Sequence, residues 1–162
     1  MTIRKAVKAD LESLMSLFVQ AKGIMRASGN TQQWGDTYPS HETVMNDISS
    51  GVCYVACDDA GEIVATMALI PGPDPTYSRI FGGEWPDAGE YHVIHRIAAV
   101  RPGGGVACKM LDFAFSLSRT IRIDTHRDNC IMHHILQKYG FTRCGVIHIA
   151  DGSPRDAYSM TK

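Results

Sequence analysis

One stretch of the sequence decides the fold: Val100-Arg101-Pro102-Gly103-Gly104-Gly105-Val106-Ala107. Strand-like residues precede it, and apolar residues at helical spacing follow it. Glycines let the backbone approach a bulky anion closely. The free N–H groups and the dipole of the first helical turn then favour a phosphate or pyrophosphate. The segment therefore predicts a phosphate-binding loop. The alternative is a flexible turn without a ligand, against which three consecutive glycines argue because they are costly to order.

Two better-known phosphate motifs fit this stretch less well. A P-loop requires Gly-Lys-Ser/Thr, which is missing. In a dinucleotide-binding fingerprint, Gly103 and Gly105 would match and Asp124 would lie at a plausible distance, but Cys108 occupies the third glycine position. The first strand–helix unit of the chain is also in the wrong place for that fingerprint.

Outward from this stretch, the hydrophobic pattern predicts seven strands and four helices. The strands are expected at 3–7, 52–57, 63–70, 91–100, 121–124, 143–150 and 157–161. Helices are expected after Asp10, after Ser40, after the glycines and around Ile131. The order β-α-α-β-β-β-α-β-α-β-β predicts a mixed sheet, antiparallel in its hairpins and parallel where a helix crosses over.

Composition excludes several classes of protein. The 162 residues are expected to form a single domain over 1–162. A net charge of −1 argues against nucleic acid as the main partner, and no apolar run is long enough to span a membrane. The N-terminus does not look like a signal peptide, so we expect a cytoplasmic protein. The five cysteines are an odd number and form no CxxC pair, so neither a disulfide framework nor a metal site is predicted.

The order and spacing of several short motifs resemble one family over nearly the whole chain. These are Ile3-Arg4-Lys5-Ala6 with Asp10-Leu11, Val100-x-Pro102 with the glycines and Val106-Ala107, and Asn129 with Gly140-Phe141. Together they resemble the GNAT (GCN5-related) N-acetyltransferases. The resemblance implies a single α/β (α+β) domain with a mixed sheet of about six to seven strands, about four flanking helices, and a splay between strands four and five.

Within that family, the chain resembles a subgroup that shares further motifs. They are Gln33-Trp34, Tyr38-Pro39, Asp74-Pro75-Thr76-Tyr77, His95-Arg96-Ile97-Ala98, Ile121-Arg122-Ile123-Asp124-Thr125-His126, Asp151-Gly152, Pro154-Arg155 and Ala157-Tyr158. These motifs do not identify the acceptor. We expect a small-molecule or peptide amine. The oligomeric state is not predicted either, although relatives are often dimers and a homodimer is possible.

The family's mechanism implies acetyl-CoA as cofactor and CoA as product. An amine would attack the thioester directly in a ternary complex, and the pantetheine arm would pair with the fourth strand like an added strand. The expected cofactor-binding residues are Ile97, Ala98, Ala99, Val100, Gly103, Gly104, Gly105, Val106, Ala107, Asn129 and Met132. Asn129 can also cap its helix, and Met132 can also belong to the core.

His95 is the expected general base. Imidazole titrates at about pH 6.5 and can accept a proton at neutral pH. The structural alternative is a histidine hydrogen-bonded within the sheet, to Asp124 or to backbone. Glu90 and His126 are weaker candidates for the base.

The proton donor is not predicted, because the family's usual tyrosine is replaced by Leu136. Candidates elsewhere are Tyr139, Tyr158 and Cys144, and solvent or the leaving thiolate can also manage the proton. This departure and the shortened glycine loop keep a second interpretation open, a non-catalytic acyl-CoA-binding or sensor module. A nucleotide-binding α/β protein of another class is the third.

Several aromatic and polar residues lie on loops instead of a periodic core face, and loop aromatics commonly line pockets. They are Gln33, Trp34, Tyr38, Tyr77 and Trp85. We expect them to form the acceptor site. The alternative is a small core beneath a loop.

Overall fold

A computed structural model describes residues 1–100 and 104–162. Residues 101–103 lie outside the described part, so the predictions for Arg101, Pro102 and Gly103 are not addressed by it. Within the described part, one sheet holds all seven strands in the order β1-β2-β3-β4-β5-β7-β6. No helix there is long and apolar enough to cross a bilayer.

The strands and helices follow the predicted order. The strands are β1 (Thr2–Lys5), β2 (Cys53–Cys57), β3 (Ile63–Pro71), β4 (His92–Ala99), β5 (Thr120–Thr125), β6 (Thr142–His148) and β7 (Pro154–Thr161). The helices are α1 (Leu11–Ala27), α2 (His41–Ser49), α3 (Val106–Leu117) and α4 (Cys130–Tyr139). All strand pairs are antiparallel except β4–β5, which is parallel. The predicted mixed sheet is confirmed.

The sheet is covered on both faces, and β2 shows why. Its side chains alternate, so Cys53, Val55 and Cys57 pack with the apolar faces of α1 and α2. Tyr54 and Ala56 point the other way, into the cluster that contains the buried residues of α3 and α4. A strand with two buried faces needs apolar residues at every position, as this one has.

Two helix starts show the expected capping. The Ser40 side chain accepts a hydrogen bond from the Thr43 amide at 3.1 Å and begins α2. Asn129 begins α4, and its Oδ1 accepts from the Met132 amide at 3.1 Å. These side chains satisfy amides that the helix itself leaves without a partner.

The splay expected in the sheet lies between β4 and β5. The two strands pair only from His92 opposite Ile121 to Ile94 opposite Ile123. Beyond that point β5 stays paired with β7, whereas β4 stays paired with β3. The pairing register of β3 and β4 shifts near Arg96, whose φ of 52° lies in the left-handed region. Such a bulge bends a strand away from its neighbour.

Candidate active site

The splay opens into a cavity of about 1200 Å³. Its walls come from α1, the loop after it, the second half of β4, the end of β5, the start of β7, and the starts of α3 and α4. The side of Ile97–Ala99 that faces β5 has no strand partner in the described chain. A free strand edge at the wall of a cleft can pair with an extended ligand.

The start of α3 opens onto the same cavity through Gly105, Val106, Ala107 and Cys108. Gly105 precedes the helix with a φ of 67°, a conformation that glycine adopts without strain. Gly105, the N-cap residue, has no side chain to cap the helix, and no described residue outside the helix accepts from its first-turn amides. These donors are therefore available to an anionic ligand.

Most of the predicted cofactor-binding residues line the cavity. They are Ile97, Ala98, Ala99, Gly105, Val106, Ala107, Asn129 and Met132. Val100 is not among the lining residues, because its amide is bonded to the Val64 carbonyl at 3.1 Å and its side chain packs on the core. Gly104 is exposed beside the opening, and Gly103 is outside the described residues.

His95 lines the cavity and is held by a carboxylate. Its Nε2 lies 2.7 Å from Oδ2 of Asp74, whereas the expected alternative partner was Asp124 or backbone. Burial opposes ionisation of Asp74, but hydrogen bonds from His95 and Thr76 outweigh it and lower its pKa to about 2. The ionised carboxylate is only an acceptor, so His95 Nε2 carries a hydrogen. In the neutral ring the lone pair then lies on Nδ1, for which no partner is found in the described chain.

Asp74 lies in the Asp74-Pro75-Thr76-Tyr77 motif, and nothing in the sequence itself indicates that it contacts His95. It lies 21 positions before His95, and no spacing rule links the two residues. The sequence does indicate a turn at Asp74. In the structure, Oδ1 of Asp74 accepts hydrogen bonds from the Thr76 amide at 2.9 Å and from the Thr76 hydroxyl at 2.7 Å. Asp followed by Pro and Thr is typical of such a turn. The turn fixes the carboxylate, but the sequence does not show which way it faces.

The loop after α1 forms part of the cavity wall through Gln33, Trp34 and Tyr38. Gln33 is largely committed to the protein, because its Oε1 accepts from Asn30 at 3.0 Å and from Asn129 at 2.9 Å. Asn129 thus caps α4 and also fixes this loop. Trp34 and Tyr38 contact each other with ring centroids 6.1 Å apart.

Tyr77 does not line the cavity, which corrects its predicted place in the acceptor site. It is 1% exposed and stacks on Trp85 and Tyr91. Its hydroxyl donates to Asp124 at 2.7 Å. Trp85 belongs to the same cluster and donates to the Tyr77 carbonyl at 2.9 Å. For these two residues the alternative, a small core beneath a loop, describes the structure.

The other candidates for proton transfer lie away from the cavity walls. Neither Glu90 nor His126 is among the lining residues, and the same holds for Tyr139, Tyr158 and Cys144. Leu136 is fully buried in the core cluster that includes α3 and α4.

Several solved structures share this architecture. An acetyltransferase of the GNAT family from Streptococcus agalactiae is 32% identical, with a TM-score of 0.90 over 99% of this chain and 95% of that one. A GNAT-family acetyltransferase from Listeria monocytogenes is 21% identical, with a TM-score of 0.73 over 99% of this chain and 94% of that one. The PaiA N-acetyltransferase from Thermoplasma acidophilum, solved with coenzyme A, is 16% identical, with a TM-score of 0.70 over 99% of this chain and 98% of that one.

The chain belongs to the GNAT family of acetyltransferases, as the identity to the Streptococcus protein over almost the whole chain shows. The two more distant structures share the fold. No protein-family model and no curated protein sequence matches the chain.

Proposed function

We propose that this protein is an N-acetyltransferase that transfers an acetyl group from acetyl-CoA to a primary amine in a ternary complex. One observation supports it above the others: the cavity joins an unpaired strand edge, a helix start with available amides, and a histidine–carboxylate pair. Acetyl-CoA supplies an activated thioester. That the Thermoplasma protein binds coenzyme A in the same fold favours a CoA-type cofactor.

The residues present fit such a cofactor. The amides of Val106 and Ala107 would hold its pyrophosphate without a basic side chain, which suits a chain with a net charge of −1. The free edge of β4 at Ile97–Ala99 would pair with the pantetheine arm. Backbone N–H groups of the same edge would polarise the thioester carbonyl.

His95 is the proposed general base, and Asp74 is its positioning residue. A carbon–nitrogen bond forms, the carbon–sulfur bond breaks, and one amine proton moves to Nδ1 of His95. Asp74 holds the ring by Nε2 and stabilises the imidazolium that results, as the carboxylate does in a catalytic triad. No protein residue is assigned as general acid, and solvent supplies the proton for the thiolate.

Replacing His95 tests this proposal. His95→Ala should lower kcat with a panel of amines by about 100-fold or more, the usual contribution of a positioned base. The affinity for CoA should change little, because His95 lies away from the proposed phosphate site. The matched control is His41→Ala, since His41 is exposed on α2 and does not line the cavity.

Two outcomes would count against the enzyme. CoA binding without turnover across all amines would favour the non-catalytic binding module. Wild-type turnover by His95→Ala across pH would remove His95 from the mechanism.

A further inference from the structure

A buried arginine lines the cavity and has no role in the chemistry described so far. Arg155, the second residue of β7, is 5% exposed and is part of the cavity wall. Its Nη1 donates to the Pro154 carbonyl at 3.0 Å and its Nη2 donates to the Gln33 carbonyl at 3.3 Å. Two backbone carbonyls use two of its five N–H donors and neutralise none of its charge.

The other two well-buried arginines in the described chain are compensated differently. Arg96 forms a bidentate ion pair with Asp47, with Nε 2.7 Å from Oδ2 and Nη2 2.9 Å from Oδ1. Arg122 lies between the rings of Trp85 and Tyr91, at 4.3 and 3.9 Å from their centroids. A guanidinium stays charged at any physiological pH, and a buried charge is costly unless it is paired.

No described carboxylate lies within 4.0 Å of Arg155, although two are near. Asp124 is opposite Ala157 in the β5–β7 pairing, so it shares a face with Arg155 two residues along the strand. Its Oδ1 accepts from Tyr77. Asp151 accepts from the Ser153 amide at 2.8 Å and is exposed. Arg155 thus lines the cavity without a carboxylate at ion-pair distance among the described residues.

His95 and Arg155 lie on the two sides of Asp124. The parallel register puts Ile94 opposite Ile123, so His95 and Asp124 are the next residues on β4 and β5. Burial raises the pKa of Asp124, whereas the hydrogen bond from Tyr77 and the charges of His95 and Arg155 lower it. Ideal strand spacing of about 4.8 Å would put β4 and β7 about 10 Å apart, and the splay beyond Ile94 and Ile123 widens the gap between their side chains. A small molecule can span that distance between two side chains.

We propose that Arg155 binds a carboxylate of the acceptor, and that the acceptor is therefore an amino acid whose amine lies at His95. The planar guanidinium matches a carboxylate with two parallel hydrogen bonds. The inference rests on the proposed function for the amine end, but the carboxylate site itself can be tested by binding alone.

Matched pairs of acceptors provide the test. Each amino acid is compared with the amine that lacks its carboxylate: phenylalanine with phenethylamine, leucine with isoamylamine, and arginine with agmatine. The wild-type protein should favour the acid in at least one pair by about 10- to 100-fold in kcat/KM, as expected for a charge-assisted bidentate contact. Equal rates within every pair, or a preference for the amines, would overturn the proposal.

Two variants of Arg155 separate the site from a structural role. Arg155→Met should abolish the preference within a pair, because the amine that lacks the carboxylate loses nothing. Arg155→Lys should retain part of the preference, because lysine keeps the positive charge but lacks the planar, bidentate guanidinium. The matched control is Arg143→Met on exposed β6, which should leave the preference unchanged. A variant that slows both members of each pair equally would indicate structural damage and contradict the proposal.

Calorimetric titration of the preferred amino acid into the protein with CoA gives a readout that does not need turnover. Binding by wild type that is lost in Arg155→Met supports the carboxylate site even if no acetylation occurs, in which case only the proposed activity fails. If the protein acetylates simple amines but does not bind amino acids, the proposed activity is supported and the carboxylate site is refuted.

Discussion

Replacing Asp74 with asparagine perturbs the proposed site at one hydrogen bond. Oδ1 can still accept from Thr76, so the turn is kept. The new amide group then faces His95 Nε2 in place of an acceptor. To meet it, Nε2 must become the acceptor and Nδ1 must carry the hydrogen. The proposed base would then have its lone pair on the wrong atom, so turnover should fall by about 100-fold or more.

The same substitution should alter stability in a pH-dependent way. A carboxyl whose pKa is 3.8 in its ordinary state and about 2 in the folded protein contributes about 2 kcal/mol to the free energy of unfolding at neutral pH. Because Asp74 borders an open cavity, solvent screening reduces this to about 1–2 kcal/mol. For a domain of this size, that corresponds to a fall in Tm of about 2–8 °C.

The sign follows from the lowered pKa. The stabilisation is complete above the ordinary pKa and is lost as pH falls through the folded pKa of about 2. The Tm difference between Asp74→Asn and wild type should therefore shrink to about half at pH 3 and vanish only below about pH 2. Thermal melts between pH 3 and 7, with steady-state turnover at pH 7, measure both effects. Asp112→Asn, an exposed change away from the cavity, serves as the control. Unchanged turnover, or a Tm difference as large at pH 3 as at pH 7, would refute the reasoning.

Three further substitutions test other parts of the site and fold. Gly104→Glu should abolish CoA binding in titration calorimetry by placing bulk and negative charge beside the phosphate site, and unchanged affinity would reject that site. Trp34→Ala should raise the KM of the acceptor and leave CoA affinity unaltered, whereas the reverse pattern would assign this loop to the cofactor. Leu136→Ala should lower the free energy of unfolding by about 2–5 kcal/mol because it empties a fully buried position, and a denaturant melt that matches wild type would contradict its place in the core.

The sequence predicted the architecture well because the signals involved are local. Strand and helix periodicity set the element order, and Ser40 and Asn129 capped the helices that they were expected to begin. The run of glycines correctly indicated that a helix follows, and α3 begins at Val106 directly after Gly105. Such features depend on residues a few positions apart, which a sequence displays directly.

The candidate site was less predictable because tertiary packing brings it together. Asp74 reaches His95 across 21 positions, and Arg155 reaches the Gln33 carbonyl across 122. Tyr77 and Trp85 are aromatic residues on a loop, as pocket residues often are. In the structure, however, Tyr77 is buried, stacked on Trp85 and hydrogen-bonded to Asp124. An aromatic residue on a loop has the same sequence signature whether it faces a ligand or the core.

A crystal structure of the protein with coenzyme A tests the central claim most directly. We expect pyrophosphate oxygens about 2.7–3.2 Å from the amides of Val106 and Ala107, and the sulfur between β4 and β5 beside His95. Coenzyme A bound away from this cleft would contradict the proposal, and so would first-turn amides of α3 that are hydrogen-bonded to the protein itself.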